Sequence, residues 1–235
     1  MTRFGFGYLS SGGTPGNDSF TKILLHMDGS NGGTTFTDVN AGGSAHTWTP
    51  SSATTSTAES KFGGSALLTA AGYITSADHA DFTLGSNDWT VDFWLNANNT
   101  SGVVGLLGQA NNLATSATTP IYGNRGAADK LVMNASSGGG FFSCTSTTTF
   151  NDGAWRHIAF VRTGNILRLF VNGVQEGGDT AFTFSCPNSA SNWSVGRMGD
   201  NVSFTASSVY FDEFRLSVGI ARWTSNFTPP TSAYV

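Results

Sequence analysis

The residues of this chain that could do chemistry are few and scattered. Glutamate occurs at Glu59, Glu176 and Glu213 only. Glycoside hydrolysis needs two carboxyl groups flanking one bond. Strand alternation sends the neighbours Asp212 and Glu213 to opposite faces, while Glu59 stands in a polar stretch and Glu176 just past a turn. No Gly-x-Ser-x-Gly elbow offers a serine nucleophile. The pattern therefore argues against an enzyme. Asp212, in YFDEFRL, falls by alternation on the face of Tyr210, Phe214 and Leu216. A carboxylate there must be paired or coordinated, because an isolated buried charge is very costly. Asp28 sits in MDGSNG, a turn rich in oxygen donors, with Asp38 a further carboxylate at hand. His157 stands beside Trp155 with no second His, Cys or carboxylate at metal-ligand spacing, and reads as a core imidazole.

A different chemistry is offered by the stretch 109–130, which is small and polar and whose large residues are Tyr122 and Arg125. It reads as a loop or weak hairpin. Sugar recognition needs an aromatic face with a few convergent polar groups. Tyr122 with Arg125, and Asn124 between them, is the expected set. Trp48 and Trp193 are candidates by position but equally core or rim residues.

The elements that must hold these residues are strands. WRHIAFVRTGNILRLFVNGV, residues 155–174, alternates with apolar bulk on both faces, as in a strand covered on both sides. Its Asn172-Gly173 is a strong hairpin signal, since a type I′ turn needs positive φ at both central residues. DWTVDFWL, residues 88–95, alternates as cleanly. No helical stretch of useful length is found. The 30 glycines suit many short strands joined by turns, and 18 Phe with 6 Trp supply a sizeable core.

Composition also excludes. Charged residues are 11%, the formal net charge is −4, and no basic stripe is present, so nucleic-acid binding is not expected. No apolar run approaches the roughly 20 residues of a membrane-spanning helix. The N-terminal segment lacks a signal-peptide core, which points to synthesis in a cytoplasm with export or assembly by another route. Cys144 and Cys186 are expected to stay reduced and buried. Residues 1–21 form a Gly/Ser-rich arm beaded with Phe4, Phe6 and Tyr8. Such a segment cannot order itself, so docking onto a partner through those aromatics is the expectation. Residues 22–235 read as one domain.

Taken in order, LLHMDGSNGGTTFTD, KFGGSAL, DWTVDFWL, WRHIAFVRTGNILRLFVNGV, SVGRMGD and YFDEFRLSVGIARWTSNFTPPT make the domain resemble the laminin-G-like, concanavalin A-like family. The version it is similar to is the one frequent in bacteriophage virion proteins, chiefly through DEFRLSVGIARWTSNFTPPT. The resemblance implies an all-β, two-sheet antiparallel jelly-roll sandwich with carbohydrate- or protein-binding roles. It implies a capsid-decoration or tail protein on the virion surface, made in the host cytoplasm. It would be present in several copies or as a homo-oligomer, held by other virion proteins, and able to adhere to surface glycans. The alternative is a free carbohydrate-binding or host-receptor-binding lectin. Some members of this fold bind calcium near strand ends, which marks Asp28 and Asp212 as possible Ca2+ ligands.

Overall fold

The computed structural model describes residues 16–98, 102–111, 115–200 and 209–235. The period-two patterning is realised as β1 (Thr21–Leu25), β2 (Thr49–Ser51), β3 (Thr54–Ser56), β4 (Ala66–Leu68), β5 (Tyr73–Ser76), β6 (Trp89–Ala97), β7 (Val104–Gln109) and β8 (Ile121–Arg125). The series continues with β9 (Lys130–Ser136), β10 (Phe141–Thr149), β11 (Arg156–Thr163), β12 (Ile166–Val171), β13 (Val174–Ala181), β14 (Trp193–Val195) and β15 (Val209–Val218). Among the described residues the helical elements are two short 3-10 turns, Ala80–Phe82 and Ser116–Thr118. None of the helices is long and apolar enough to cross a membrane.

The strands form two antiparallel sheets packed face to face. One has eight strands in the order β13-β12-β11-β6-β15-β4-β3, with β1 also paired to β15. The other has seven, in the order β10-β9-β8-β7-β14-β5-β2. Between them lies an aromatic core. Trp89 meets Phe160 edge-on at 5.1 Å, and Phe93 stacks on Phe214 at 5.8 Å, all four being fully buried. Each such side chain contributes about 1.5–3 kcal/mol by leaving water.

Both faces of β11 are covered. Ile158 and Phe160 enter the main core. Ala159 and Val161, with Phe170, form a second cluster under Ala221, Trp223 and Phe227 of the C-terminal tail. There Trp223 and Phe227 stack at 4.1 Å, 9° from parallel. The tail also seals a buried polar network. Asp92 takes two hydrogen bonds from Arg215, at 2.9 and 3.1 Å, and one from the Tyr234 hydroxyl at 2.5 Å. His157, fully buried, lies 3.5 Å from the same carboxylate. It is a core imidazole, as its sequence surroundings indicate.

Two local expectations change. Strict alternation fails in β15, because a β-bulge shifts the register between Asp212 and Arg215 and Glu213 adopts φ +50°. One extra residue puts Phe211 and Phe214 both into the core. Asp212 therefore does not share a face with Phe214 and Leu216. Residues 16–21, assigned by composition to the arm, pack on the domain. Gly16 carbonyl accepts from Arg215 at 2.8 Å and from the Thr21 hydroxyl at 2.8 Å, and β1 begins at Thr21. A Cβ at position 16 would collide with the Arg215 guanidinium and the Tyr234 ring, so only glycine lets the chain pass there. Phe4, Phe6 and Tyr8 lie outside the described residues. Cys144 and Cys186 are both buried and unpaired.

Candidate functional site

Of the two readings of the stretch containing Tyr122, the hairpin holds and the loop does not. β8 pairs with β7 on one side and β9 on the other. Its Ile121, Gly123 and Arg125 are buried, while Tyr122 and Asn124 are partly exposed. Ile121 and Met133 belong to the core between the sheets. Tyr122 and Asn124 therefore face outward from the seven-stranded sheet, two residues apart on one face.

The structure brings further polar groups into that face. Tyr122 stands opposite Asn134 of β9, which stands opposite Ser143 of β10. The Ser143 hydroxyl donates to Asn134 Oδ1 at 2.6 Å, holding the amide in place. Phe141 packs edge-on against Tyr122 at 5.1 Å. Partial burial raises the Tyr122 phenol pKa, so the hydroxyl stays protonated and able to donate. On the other side Tyr122 pairs with Gly108 of β7, where a Cβ would strike the Met198 carbonyl. The missing side chain lets the 196–200 segment cross the sheet as a ridge. Arg197 anchors that ridge, stacked 3.8 Å over Tyr73, with Nε donating to Ser194 Oγ and the guanidinium bonded to Asp200 at 2.7 Å.

Arg125 does not join Tyr122. Alternation turns it to the opposite face, where its buried guanidinium pairs with Asp129 and donates to the Gly102 carbonyl at 3.1 Å. Trp48 and Trp193 are buried in the core. Asn134 and Ser143 were missed in the sequence because their membership depends on cross-strand register. A weak signal was present in the polar alternation of KLVMNAS and FFSCTSTTT.

A second group of residues gathers elsewhere. Asp212 Oδ2 accepts from the backbone N–H groups of Lys61 and Phe62 at 2.8 and 3.1 Å. Asp28 Oδ1 accepts from Gly64 at 3.2 Å. The two carboxylates thus converge on the 61–64 turn. Burial pushes the Asp212 carboxyl up to about 7, against the two amides, with Glu213 and Asp28 adding repulsion. Asp212 Oδ1 is buried without a hydrogen-bond partner. Calcium is an oxygen-seeking cation, and an orphaned carboxylate oxygen beside a second carboxylate fits it. Asp38 does not join them. It caps Leu24 N–H at 3.0 Å and bonds His46 at 2.7 Å.

The three glutamates have separate partners. Glu176 accepts from Thr147 and Thr148 backbone N–H groups, Glu213 binds His26 at 2.7 Å and Tyr234 N–H at 2.9 Å, and Glu59 is exposed near Asn96.

Solved structures share this fold at low sequence identity. The binding domain of Paraclostridial Mosquitocidal Protein 1 matches with a TM-score of 0.65 and 12% identity, over 86% of this chain and 49% of that one. The botulinum neurotoxin serotype G binding domain matches with a TM-score of 0.60 and 10% identity, over 88% and 48%. The chain therefore spans about half the length of these toxin domains. Domain 4 of AbnA, a GH43 extracellular arabinanase from Geobacillus stearothermophilus solved with arabinotriose, matches with a TM-score of 0.59 and 15% identity, over 86% and 94%. No curated protein sequence matches. The family profile described as the concanavalin A-like lectin/glucanases superfamily matches residues 68–218. On that match, which spans the strands from β5 to β15, the chain belongs to the concanavalin A-like lectin/glucanases superfamily.

Proposed function

We propose that this chain is a non-catalytic, lectin-like domain that binds neutral glycans on the outward face of its seven-stranded sheet. The observation that carries this reading is the set of Tyr122, Asn124 and Ser143, an aromatic, an amide and a hydroxyl, on one face of adjacent strands around the buried Asn134, which holds the Ser143 hydroxyl. Such a surface offers a ring to an apolar sugar face, and an amide and a hydroxyl to its polar groups. The nearby Arg197 is already committed to Asp200, which favours an uncharged ligand over an anionic one. Arg125 supports the face from behind by holding the turn that leads to Asp129. The fold neighbour solved with arabinotriose is of nearly this size and adds weight to a sugar ligand. Three glutamates held in three separate environments support the absence of catalysis. The test is calorimetric titration with oligosaccharides chosen from a glycan screen, comparing the wild type with Tyr122→Ala/Asn124→Ala.

The resemblance of DEFRLSVGIARWTSNFTPPT to phage virion proteins supports a finer reading. In it the domain is displayed in several copies on a bacteriophage particle, as a capsid-decoration or tail-associated protein. Phe4, Phe6 and Tyr8 of the arm then dock onto another virion protein. Asp28 and Asp212 would hold a calcium ion, whose charge would neutralise the buried Asp212.

A further inference from the structure

We infer that His46, His79 and Asp81 form a binding site for a divalent transition-metal ion of the zinc class. One donor atom from each lies within 4.8 Å of the others. Asp81 Oδ2 is 3.4 Å from His46 Nε2 and 3.1 Å from His79 Nδ1. A tetrahedral ion with ligand bonds of about 2.0–2.1 Å separates its donors by about 3.3 Å, so these spacings suit one metal.

The protonation pattern points the same way. Asp38 Oδ2 lies 2.7 Å from His46 Nδ1, and a carboxylate can only accept, so Nδ1 carries the proton. In the neutral ring this leaves the Nε2 lone pair facing Asp81. Nε2 is buried without a hydrogen-bond partner, and the His46 side chain is 4% exposed. His79 Nδ1 accepts the Asp81 backbone N–H at 3.2 Å, a capping bond that its single lone pair would exchange for the metal. The unpartnered His46 Nε2 thus faces Asp81 Oδ2, which also accepts the Ser44 backbone N–H at 2.7 Å, and two acceptors so placed repel unless a cation sits between them. Asp38 is the carboxylate that in metal sites fixes the tautomer of a ligating histidine. It is itself anchored by the Leu24 and Asn40 backbone N–H groups at 3.0 and 3.2 Å. Two imidazoles and a carboxylate select a zinc-class ion over calcium, which prefers all-oxygen sets.

His46 and His79 also line an open cleft of about 210 Å3, leaving room for water as a fourth ligand. The bound ion would tie the 38–47 segment to the 79–82 turn.

The experiment uses tag-free protein stripped by chelator and titrated with zinc chloride in a calorimeter. The wild type is expected to bind one equivalent, and His79→Ala or Asp81→Asn to bind at least tenfold more weakly. The His79 ring is 41% exposed but caps the 80–82 turn, so His79→Ala should stay folded with a modestly lower melting temperature, which is measured alongside. Cobalt(II) gives a second readout, an intense tetrahedral visible spectrum that His79→Ala loses. Two results would overturn the proposal: no zinc uptake by the wild type, which would leave a protonated His46 bridging Asp38 and Asp81, or unchanged zinc affinity in folded His79→Ala.

Discussion

Asp92 carries a full charge inside the protein and survives there only through its partners. Burial pushes its carboxyl up, but the Arg215 guanidinium and His157 outweigh this and hold it at about 2. Burial likewise lowers the His157 pKa below its ordinary 6.5, more than Asp92 raises it. Both depressed values give the same sign. Below 6.5 the unfolded histidine takes a proton that the folded one refuses, and below 3.8 the unfolded Asp92 does the same. Stability from these groups is present above pH 6.5 and falls as pH drops toward 2. Melting temperature followed against pH should show this acid limb. Asp92→Asn should cost about 3–5 kcal/mol, because it strands the buried Arg215, and should flatten the limb. An unchanged limb would remove Asp92 from the account. The calcium reading is also decided at this scale. Adding calcium to chelator-stripped protein should raise the melting temperature of the wild type and not that of Asp212→Asn, whereas no shift in the wild type would exclude it. Some of this was readable in the sequence. His157 was legible as core because nothing near it could share a metal. The Asp92–Arg215 pair was not, because 123 residues separate the two and only sheet pairing joins them.

The hairpin of β12 and β13 shows how an element can be read from two residues. Asn172 and Gly173 adopt φ +49° and +75°, as a type I′ turn requires. Gly173 has a second reason to be glycine, since a Cβ would run into the Phe227 carbonyl of the tail. Its N–H group is not the donor there; the Phe227 N–H donates to the Gly173 carbonyl at 2.9 Å. Gly173→Ala is expected to combine backbone strain with overpacking and to cost about 2–3 kcal/mol in denaturant unfolding. A loss below about 0.5 kcal/mol would show that the tail yields at this point. β8 shows the opposite case. IYGNR has glycine and asparagine, which disfavour strands, and its strand character comes from pairing on both edges. That misreading put Arg125 beside Tyr122, while the two-residue period separates them. Asp212 was misplaced for a related reason, because a bulge inserts a residue that alternation cannot foresee.

At the scale of the whole molecule, two sheets and a tail divide the work. The eight-stranded sheet is covered on its outer side by Trp223, Phe227 and Tyr234, while among the described residues the seven-stranded sheet leaves Tyr122 and Asn124 partly exposed on its outer face. The sandwich and its family were legible because apolar alternation recurs along the chain. The binding face was only half legible, because Asn134 and Ser143 reach Tyr122 through register. Residues 16–21 pack on the domain, so a deletion that tests the arm stops at residue 15. On the virion reading the same deletion should abolish incorporation into particles, and full incorporation of the truncated chain would contradict it. The account rests most heavily on the open sheet face. Its most direct test is calorimetric titration of neutral oligosaccharides into the wild type and Tyr122→Ala/Asn124→Ala. The prediction is saturable binding by the wild type and at least tenfold weaker binding by the variant, about 1.4 kcal/mol, at equal melting temperature. Wild-type affinity in a folded double variant would contradict it.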